Sequence, residues 1–191
     1  MTNVLIVSNK DKRFKSLDFV LTAVEKKNKL REVLYNRVYV TENKIYGADG
    51  HRLNCVTNAF DFNNDFGIYD IIKHTKTEIT LIKSDYVGNY PNVESIIETT
   101  KNYDKRPFEN HNSNINLFTY FIMNELNICI DVNLLKDIYK FMPVNCIDVY
   151  FDELSVNKDE WTYDKSIKVD WFDNDITFKA LLMAIRIKKG E

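Results

Sequence analysis

The most constraining feature of the sequence is one short amphipathic segment, residues 16–27, that stands among several short apolar runs. Its apolar residues recur at intervals of three and four positions, which is the spacing of one face of a helix. They are Leu17, Val20, Leu21 and Val24. We expect a helix here, with Ser16 as its N-cap, because a serine hydroxyl can accept from the first main-chain N–H groups. Residues 4–8 before it predict a short buried strand.

Runs rich in Val, Ile, Leu and Tyr follow this helix and predict strands. They cover residues 32–40, 44–48, 51–57, 67–72 and 78–83. Asp49-Gly50 separates two of them, and Asp-Gly between alternating runs is a strong signal for a hairpin. Residues 88–92 predict a loop.

The second half repeats this order. We expect strands at residues 115–123 and 128–130, a helix at residues 133–142, and strands at 146–151, 166–171 and 176–187. Residues 98–114 are polar and without a clear period, which favours a connector. The chain is therefore expected to be one domain, 1–191, with half-repeats at about 1–97 and 115–191. Two helices beside many sequential strands predict an α+β fold with antiparallel sheets.

Composition and charge limit the classes of protein to which the chain can belong. The 191 residues are 45% hydrophobic with a formal net charge of −2, which is ordinary for a globular domain. The charge is uneven: residues 1–37 hold nine Lys and Arg against four Asp and Glu. No apolar run approaches the length of a membrane span, and the basic residues at 10–13 follow the first apolar run instead of preceding it as in a signal peptide. We expect a cytoplasmic protein without a membrane partner.

Cysteines and histidines give no sign of a metal centre. Cys55, Cys129 and Cys146 are widely spaced, and the three histidines show no ligand spacing. We expect three buried, reduced thiols and neither metal nor cofactor.

Two acidic segments suggest an enzyme, but the suggestion is weak. His51 beside Asp49 resembles a catalytic pair, yet Asp-Gly is what a tight turn requires. Arg52 is expected either to form an ion pair or to cover apolar surface. A metal-dependent nuclease using Asp61, Asp65 and Asp70 is a less favoured alternative, because residues of this kind are common in turns. The phosphate-binding and hydrolase motifs that would support an enzyme are absent from the sequence.

Four segments, in the right order, resemble the bacterial DNA polymerase sliding clamp (beta clamp) family. Residues 44–53, KIYGADGHRL, resemble a clamp hairpin, with Ala48 in place of the usual threonine. Residues 90–97 resemble the mid-domain connector, although Glu98 replaces its last proline. Residues 129–138 are similar to the strand-to-helix step before the second clamp helix, and residues 181–187 to the C-terminal strand. The match covers one clamp domain, and the Lys, Asn and Ile content suits an A+T-rich genome such as that of a phage or mobile element.

The resemblance implies a DNA-clamp fold with two helices on one face and a function in binding rather than catalysis. A sliding clamp encloses duplex DNA, holds it by non-specific backbone contacts and tethers a polymerase. The lysines and arginine near the two helices would contact DNA: Lys12, Arg13, Lys15, Lys26, Lys27, Lys29, Lys136 and Lys140. Leu181 and Met183 match positions that line the groove for polymerase or clamp-loader peptides.

A chain with one clamp domain would need partners to close a ring. We expect a homo-oligomer that encircles duplex DNA as a processivity factor. The alternative is a clamp-fold adaptor or decoy that binds polymerase or clamp without encircling DNA, which the acidic second half of the chain keeps open.

Overall fold

The computed structural model describes residues 4–24, 36–60, 65–110, 114–144, 146–152 and 166–184. These residues contain ten strands, four α-helices and one π-helical turn, Phe121–Glu125. The strands are β1 (Val4–Ser8), β2 (Arg37–Val40), β3 (Lys44–Ala48), β4 (Arg52–Thr57), β5 (Gly67–His74), β6 (Glu78–Lys83), β7 (Asp104–Glu109), β8 (Cys146–Phe151), β9 (Ser166–Asp173) and β10 (Ile176–Met183). The α-helices are α1 (Phe14–Thr22), α2 (Val93–Glu98), α3 (Ile115–Tyr120) and α4 (Val132–Tyr139).

The chain divides into two compact units. The first holds residues 1–93 with 172–178, and the second holds residues 94–171 with 179–191. Strands of the first unit follow the order β1-β6-β5-β2-β3-β4, and those of the second the order β10-β9-β8-β7. The pairings from β1 to β4, and from β9 to β7, are antiparallel. The expected α+β class with antiparallel sheets is confirmed.

Helix α1 packs on the sheet of the first unit. Leu17, Phe19 and Val20 are buried, and the Phe19 ring meets Phe178 edge-on at 5.4 Å. Gly47 on β3 allows this approach, because a Cβ there would lie 2.5 Å from the Val20 carbonyl oxygen. The close packing of helix on sheet therefore depends on one residue without a side chain.

The expected N-cap of this helix is wrong by three residues. The helix begins at Phe14 with Arg13 at its N-cap position, and Ser16 is buried in the first turn instead of capping it. The Asp11 carboxylate accepts the main-chain N–H of Arg13 at 2.9 Å. An aspartate ahead of the helix, rather than Ser16, thus accepts a main-chain N–H at the start of the helix. The predicted end of the helix lies outside the described residues.

The second unit has a core of aromatic rings between its helices and its sheet. Phe108 on β7 lies 5.0 Å from Phe118 and 5.2 Å from Phe121, measured between ring centroids. Phe118 also contacts Tyr139 of α4 at 5.7 Å. These contacts join the strand, α3 with its π-helical turn, and α4 into one packed unit.

Residues 115–123 are helical, so the strand expected there is wrong. Their Ile, Phe and Tyr residues favour a strand locally, but Phe118, Phe121 and Ile122 recur at helical spacing and are all buried. The Asn114 side chain accepts the N–H of Asn116 at 2.9 Å and caps the helix. Tertiary burial of one helical face thus overrides local strand propensity.

Two further elements were not expected. Helix α2 lies in the segment that resembles a clamp connector, and β7 lies within the polar segment 98–114. The β7 sequence DKRPFE is mostly exposed, so it shows no apolar alternation, and its pairing with β8 is what makes it a strand. From β7 onward the second unit has the order strand, helical segments and three strands, whereas the first unit has strand, helix and five strands. The predicted order of strand, helix and several strands therefore recurs, but the second cycle begins at β7 instead of at residues 115–123.

Candidate nucleic-acid interface

A basic corner lies where the β1–α1 loop meets the β5–β6 turn. The main-chain N–H of Asn9 donates to the Thr77 carbonyl at 2.9 Å, which holds the two segments together. Lys10, Lys12 and Lys76 extend from them, and all three are exposed. None forms an ion pair with a residue that the structure describes. We call these three lysines the basic corner.

Two of the predicted DNA-binding cations beside this corner already have acidic partners. The Arg13 guanidinium hydrogen-bonds the Asp11 carboxylate at 3.0 Å, and these bonds hold the pKa of Asp11 down at about 2. The Lys15 ammonium lies 2.7 Å from Asp173 and 5.9 Å from the Phe178 ring centroid. Exposed ion pairs contribute little to the stability of the fold, so Lys15 can exchange its carboxylate partner for a phosphate group at little cost in stability.

The outward strip of α1 carries little charge of its own. Lys15 and Asp18 lie on it about one turn apart, and Asp18 lies 2.7 Å from His74 of β5. Thr22 donates to the Phe19 carbonyl at 2.7 Å. The charges of Lys15 and Asp18 offset each other, so the net positive charge of this region that the structure describes comes from the loop before the helix.

Helix α4 of the second unit presents a second basic surface. Lys136 and Lys140 are exposed one turn apart, as their spacing predicts, while Leu135 and Ile138 face the core. Lys140 lies 3.6 Å from Asp137, and Lys136 has no ion pair among the residues described. The Asp131 side chain caps the helix by accepting the N–H of Asn133 at 2.8 Å.

The remaining predicted DNA-binding residues are not described. Lys26, Lys27 and Lys29 lie outside the described residues. Their contribution to a basic surface stays a prediction from the sequence.

The two predicted groove residues differ in their exposure. Leu181 on β10 is 5% exposed, as a core residue would be, whereas Met183 at the end of the strand is 43% exposed. The side chain of Met183 is therefore the one of the pair that an apolar peptide could reach.

The Asp-Gly-His-Arg segment is a hairpin turn. Asp49 accepts the main-chain N–H groups of His51 and Arg52 at 2.9 and 3.0 Å, and the Arg52 side chain donates to it at 2.9 Å. Gly50 has a φ of 84°, which glycine adopts without strain. The ion pair expected for Arg52 is confirmed.

The acidic residues considered for a nuclease have other partners. Asp65 accepts from the Tyr69 hydroxyl at 2.6 Å and lies 2.5 Å from Lys83, and Asp70 lies 2.5 Å from Arg37. Asp61 lies outside the described residues. In the described ranges no three His, Cys, Asp or Glu residues come together in a way that could hold a metal ion.

Two of the three cysteines are buried as expected. Cys55 and Cys129 are buried, and burial raises the pKa of the Cys129 thiol. Cys146 is exposed at the start of β8, so the expectation of three buried thiols is wrong for this residue. All three are free thiols.

Sequence reasoning missed Lys10 and Lys76 of the basic corner. Lys76 stands between two predicted strands, so its exposure could have been inferred from a tight turn. Its position beside the β1–α1 loop depends on the pairing of β1 with β6, strands that lie about 75 residues apart along the chain. No local pattern in the sequence reveals that pairing.

No helix in the described part of the chain combines the length and apolar character needed to cross a bilayer. No protein-family profile matches the chain. No curated protein matches it either.

Solved structures do resemble this fold. The DNA polymerase III beta chain of Streptococcus pneumoniae matches with a TM-score of 0.59 and 14% identity over 97% of this chain and 65% of its own. The DNA polymerase sliding clamp of Pseudomonas aeruginosa matches with a TM-score of 0.58 and 13% identity over 96% and 67%. The beta sliding clamp of C. crescentus matches with a TM-score of 0.59 and 12% identity over 97% and 66%.

The chain thus spans about two thirds of the length of the clamps that it matches. With nearly its whole length matched at this similarity, the chain has the fold of the bacterial DNA polymerase III beta sliding clamps.

Proposed function

We propose that this protein is a clamp-like processivity factor that encircles duplex DNA as a homo-oligomer and tethers a DNA polymerase in the cytoplasm. The observation that carries the proposal is the likeness of fold to sliding clamps over 97% of the chain. We keep residues 1–191 as one clamp-like domain with half-repeats at about 1–97 and 115–191, joined by residues 98–114. A phage or mobile-element origin is part of the same proposal.

The basic corner and the exposed face of α4 support contact with DNA. Lys10, Lys12, Lys76 and Lys136 are exposed cations without a carboxylate partner among the described residues, and exposed lysines suit non-specific contacts with phosphate groups. The predicted residues Arg13, Lys15 and Lys140 would join them by exchanging a carboxylate for a phosphate. Lys26, Lys27 and Lys29 remain part of the proposed surface on sequence grounds.

Topology-dependent retention on DNA tests encirclement. The protein is assembled on a nicked circular plasmid and passed through a gel-filtration column at high salt, before and after the plasmid is linearised. A ring stays with the circle and slides off the linear ends. Equal retention on both forms would contradict encirclement, and binding to a polymerase or clamp without retention on either form would favour the adaptor.

Salt dependence tests the basic corner. Lys76→Ala should weaken duplex binding uniformly across sequences and reduce the slope of log K against log[salt] by about 1. Lys101→Ala is the matched control, because this exposed lysine is paired with Glu98 at 2.8 Å and lies outside the basic corner. Equal slopes for wild type and Lys76→Ala would remove the corner from the interface.

Peptide binding tests the tether. Met183 supports an apolar contact because its flexible side chain is exposed at the end of β10. We expect Met183→Glu to weaken binding of a fluorescent clamp-binding peptide from a bacterial DNA polymerase at least tenfold, measured by anisotropy. Val144→Glu is the control, because Val144 is also exposed and apolar but lies outside the predicted groove. Unchanged affinity of the Met183 variant would exclude this groove.

A further inference from the structure

Helix α1 carries one carboxylate, and a histidine from the sheet hydrogen-bonds to it. Among residues Phe14–Thr22 only Asp18 is acidic. The Nε2 atom of His74, the last residue of β5, lies 2.7 Å from Asp18 Oδ1, and the two side chains are 18% and 33% exposed. Because a carboxylate only accepts hydrogen bonds, Nε2 is the donor, and with a neutral imidazole the pair carries a charge of −1.

This pair lies beside the basic corner. His74 directly precedes the β5–β6 turn, which contains Lys76 and is held against the β1–α1 loop by a main-chain hydrogen bond. Asp18 lies about one turn after Lys15 on the outward strip of α1. The charge of the pair therefore acts on the same surface that the proposed function assigns to DNA.

The other charged groups on the elements around the pair are lysines, an arginine and carboxylates. They are Lys15 on α1, Lys73 on β5, Lys76 in the β5–β6 turn, Glu78 on β6, Asp173 at the end of β9, and Lys10, Asp11, Lys12 and Arg13 in the β1–α1 loop. Side chains of these kinds do not ordinarily change charge between about pH 6 and pH 8, whereas a histidine does. In this pH range His74 is therefore the group among them that can alter the charge of the surface.

We propose that protonation of His74 raises the affinity of this surface for duplex DNA by neutralising the charge of Asp18. A proton taken from solvent at Nδ1 changes the charge of the pair from −1 to zero and leaves the Nε2 hydrogen bond in place. The phosphate backbone then meets the lysines without an opposing carboxylate charge. Because coupled equilibria are reciprocal, DNA binding also favours uptake of this proton. The inference rests on the proposed function and states how pH regulates that site.

The pH dependence of duplex affinity tests this coupling. We expect the wild-type dissociation constant, measured by fluorescence anisotropy at constant ionic strength, to fall about three- to fivefold from pH 8 to pH 6, because one unit charge changes close to the phosphate groups. His74→Gln keeps a donor for Asp18 but cannot ionise, so it should bind as wild type does at pH 8 and gain nothing at pH 6. His51→Gln is the control and should keep the wild-type response, because His51 lies in the turn after β3, two places from β5 in the strand order.

The substitution Asp18→Asn separates the charge of the pair from its structural role. It removes the negative charge at nearly constant size, so at pH 8 the variant should bind duplex about three- to fivefold more tightly than wild type, with a smaller difference at pH 6. A link between α1 and β5 that served only the fold would give no such gain in affinity. Circular dichroism verifies that each variant is folded.

Each outcome bears on the coupling. Equal wild-type affinities at pH 8 and pH 6, a response that His74→Gln keeps or that His51→Gln loses to the same extent, or an Asp18→Asn variant that binds no more tightly at pH 8 would overturn it. Retention on circular DNA without the pH response would remove the coupling and leave the clamp function in place. A pH response of duplex binding without topology-dependent retention would leave the coupling and remove the clamp function, so the two failures are distinguishable.

Discussion

The Asn54 side-chain amide donates a hydrogen bond of 2.8 Å to the main-chain carbonyl of Phe19, which ties β4 to the last turn of α1. The same amide donates to the Thr22 hydroxyl at 2.9 Å. Asn54 is fully buried, so these bonds form where water cannot replace them. A buried polar residue thereby fixes the helix on a mostly apolar sheet.

Removing this amide should destabilise the first unit. We expect Asn54→Ala to lower the free energy of unfolding by about 1–3 kcal/mol, because a buried carbonyl loses a donor. Asn54→Asp should lower the free energy of unfolding further, because it places a carboxylate oxygen against the oxygen of the Phe19 carbonyl. Chemical denaturation measures both, with the exposed residue Asn43→Ala as a control that should change stability by less than about 0.5 kcal/mol. An Asn54→Ala variant as stable as that control would show that the bond contributes nothing.

A methyl group at Gly47 should separate α1 from the sheet. A Cβ at this position would lie 2.5 Å from the Val20 carbonyl oxygen and 3.0 Å from a Val24 methyl group. We expect Gly47→Ala to cost about 1–3 kcal/mol, measured by thermal or chemical unfolding. At Gly88 the nearest atoms to a Cβ belong to the outer end of the Tyr86 ring, which is partly exposed and can shift more easily than a main-chain carbonyl. Gly88→Ala should therefore be tolerated, and equal losses from the two variants would contradict this account of Gly47.

The Asp11–Arg13 pair should stabilise the protein only above acidic pH. Hydrogen bonds from the Arg13 side chain and main chain lower the pKa of Asp11 from 3.8 to about 2. A lowered carboxyl pKa stabilises the folded state above the unfolded pKa, and this stabilisation is lost as the pH falls toward 2. We expect Asp11→Asn to be less stable than wild type at pH 6, with the difference shrinking between about pH 4 and pH 2. A difference that stays constant across this range would exclude the linkage.

Asp170 should have the opposite pH dependence. Burial raises its pKa, although Lys168 lies 3.2 Å away and opposes the shift, and one carboxylate oxygen has no hydrogen-bond partner among the described residues. A raised carboxyl pKa makes the folded state lose stability as the pH rises above the ordinary pKa of about 4. Asp170→Asn should remove that loss, so its stability relative to wild type should increase from pH 4 to pH 7 in urea denaturation. A parallel pH profile for the two proteins would contradict the assignment.

Local signals in the sequence predict much of the first unit. The Asp49-Gly50 turn and the alternating runs on either side of it form a hairpin as expected, and β1 spans the expected residues. The apolar stripe of α1 faces the sheet. Each of these features depends on residues that are close along the chain.

The features that sequence reasoning missed depend on distant contacts. Helix α3 has strand-forming residues, and only its burial against Phe108 and Tyr139 makes the helical period the stable one. Strand β7 lies at the end of the strand order and is mostly exposed, so its sequence lacks the apolar alternation from which a strand is predicted. The basic corner needs the pairing of β1 with β6, which no spacing within either strand reveals.

In the second unit, hydrogen bonds of the Asn110 side chain hold α4 in the way that those of Asn54 hold α1. This buried side chain accepts from the Tyr139 hydroxyl and donates to the Pro143 carbonyl at 2.8 Å, so it grips the helix and the chain just beyond it. Apolar contacts tolerate sliding, but an amide that both accepts and donates has a direction. These directional hydrogen bonds therefore fix the rotation of α1 and of α4 about their own axes. Over evolution, apolar core residues can be exchanged around these helices without turning their outward faces.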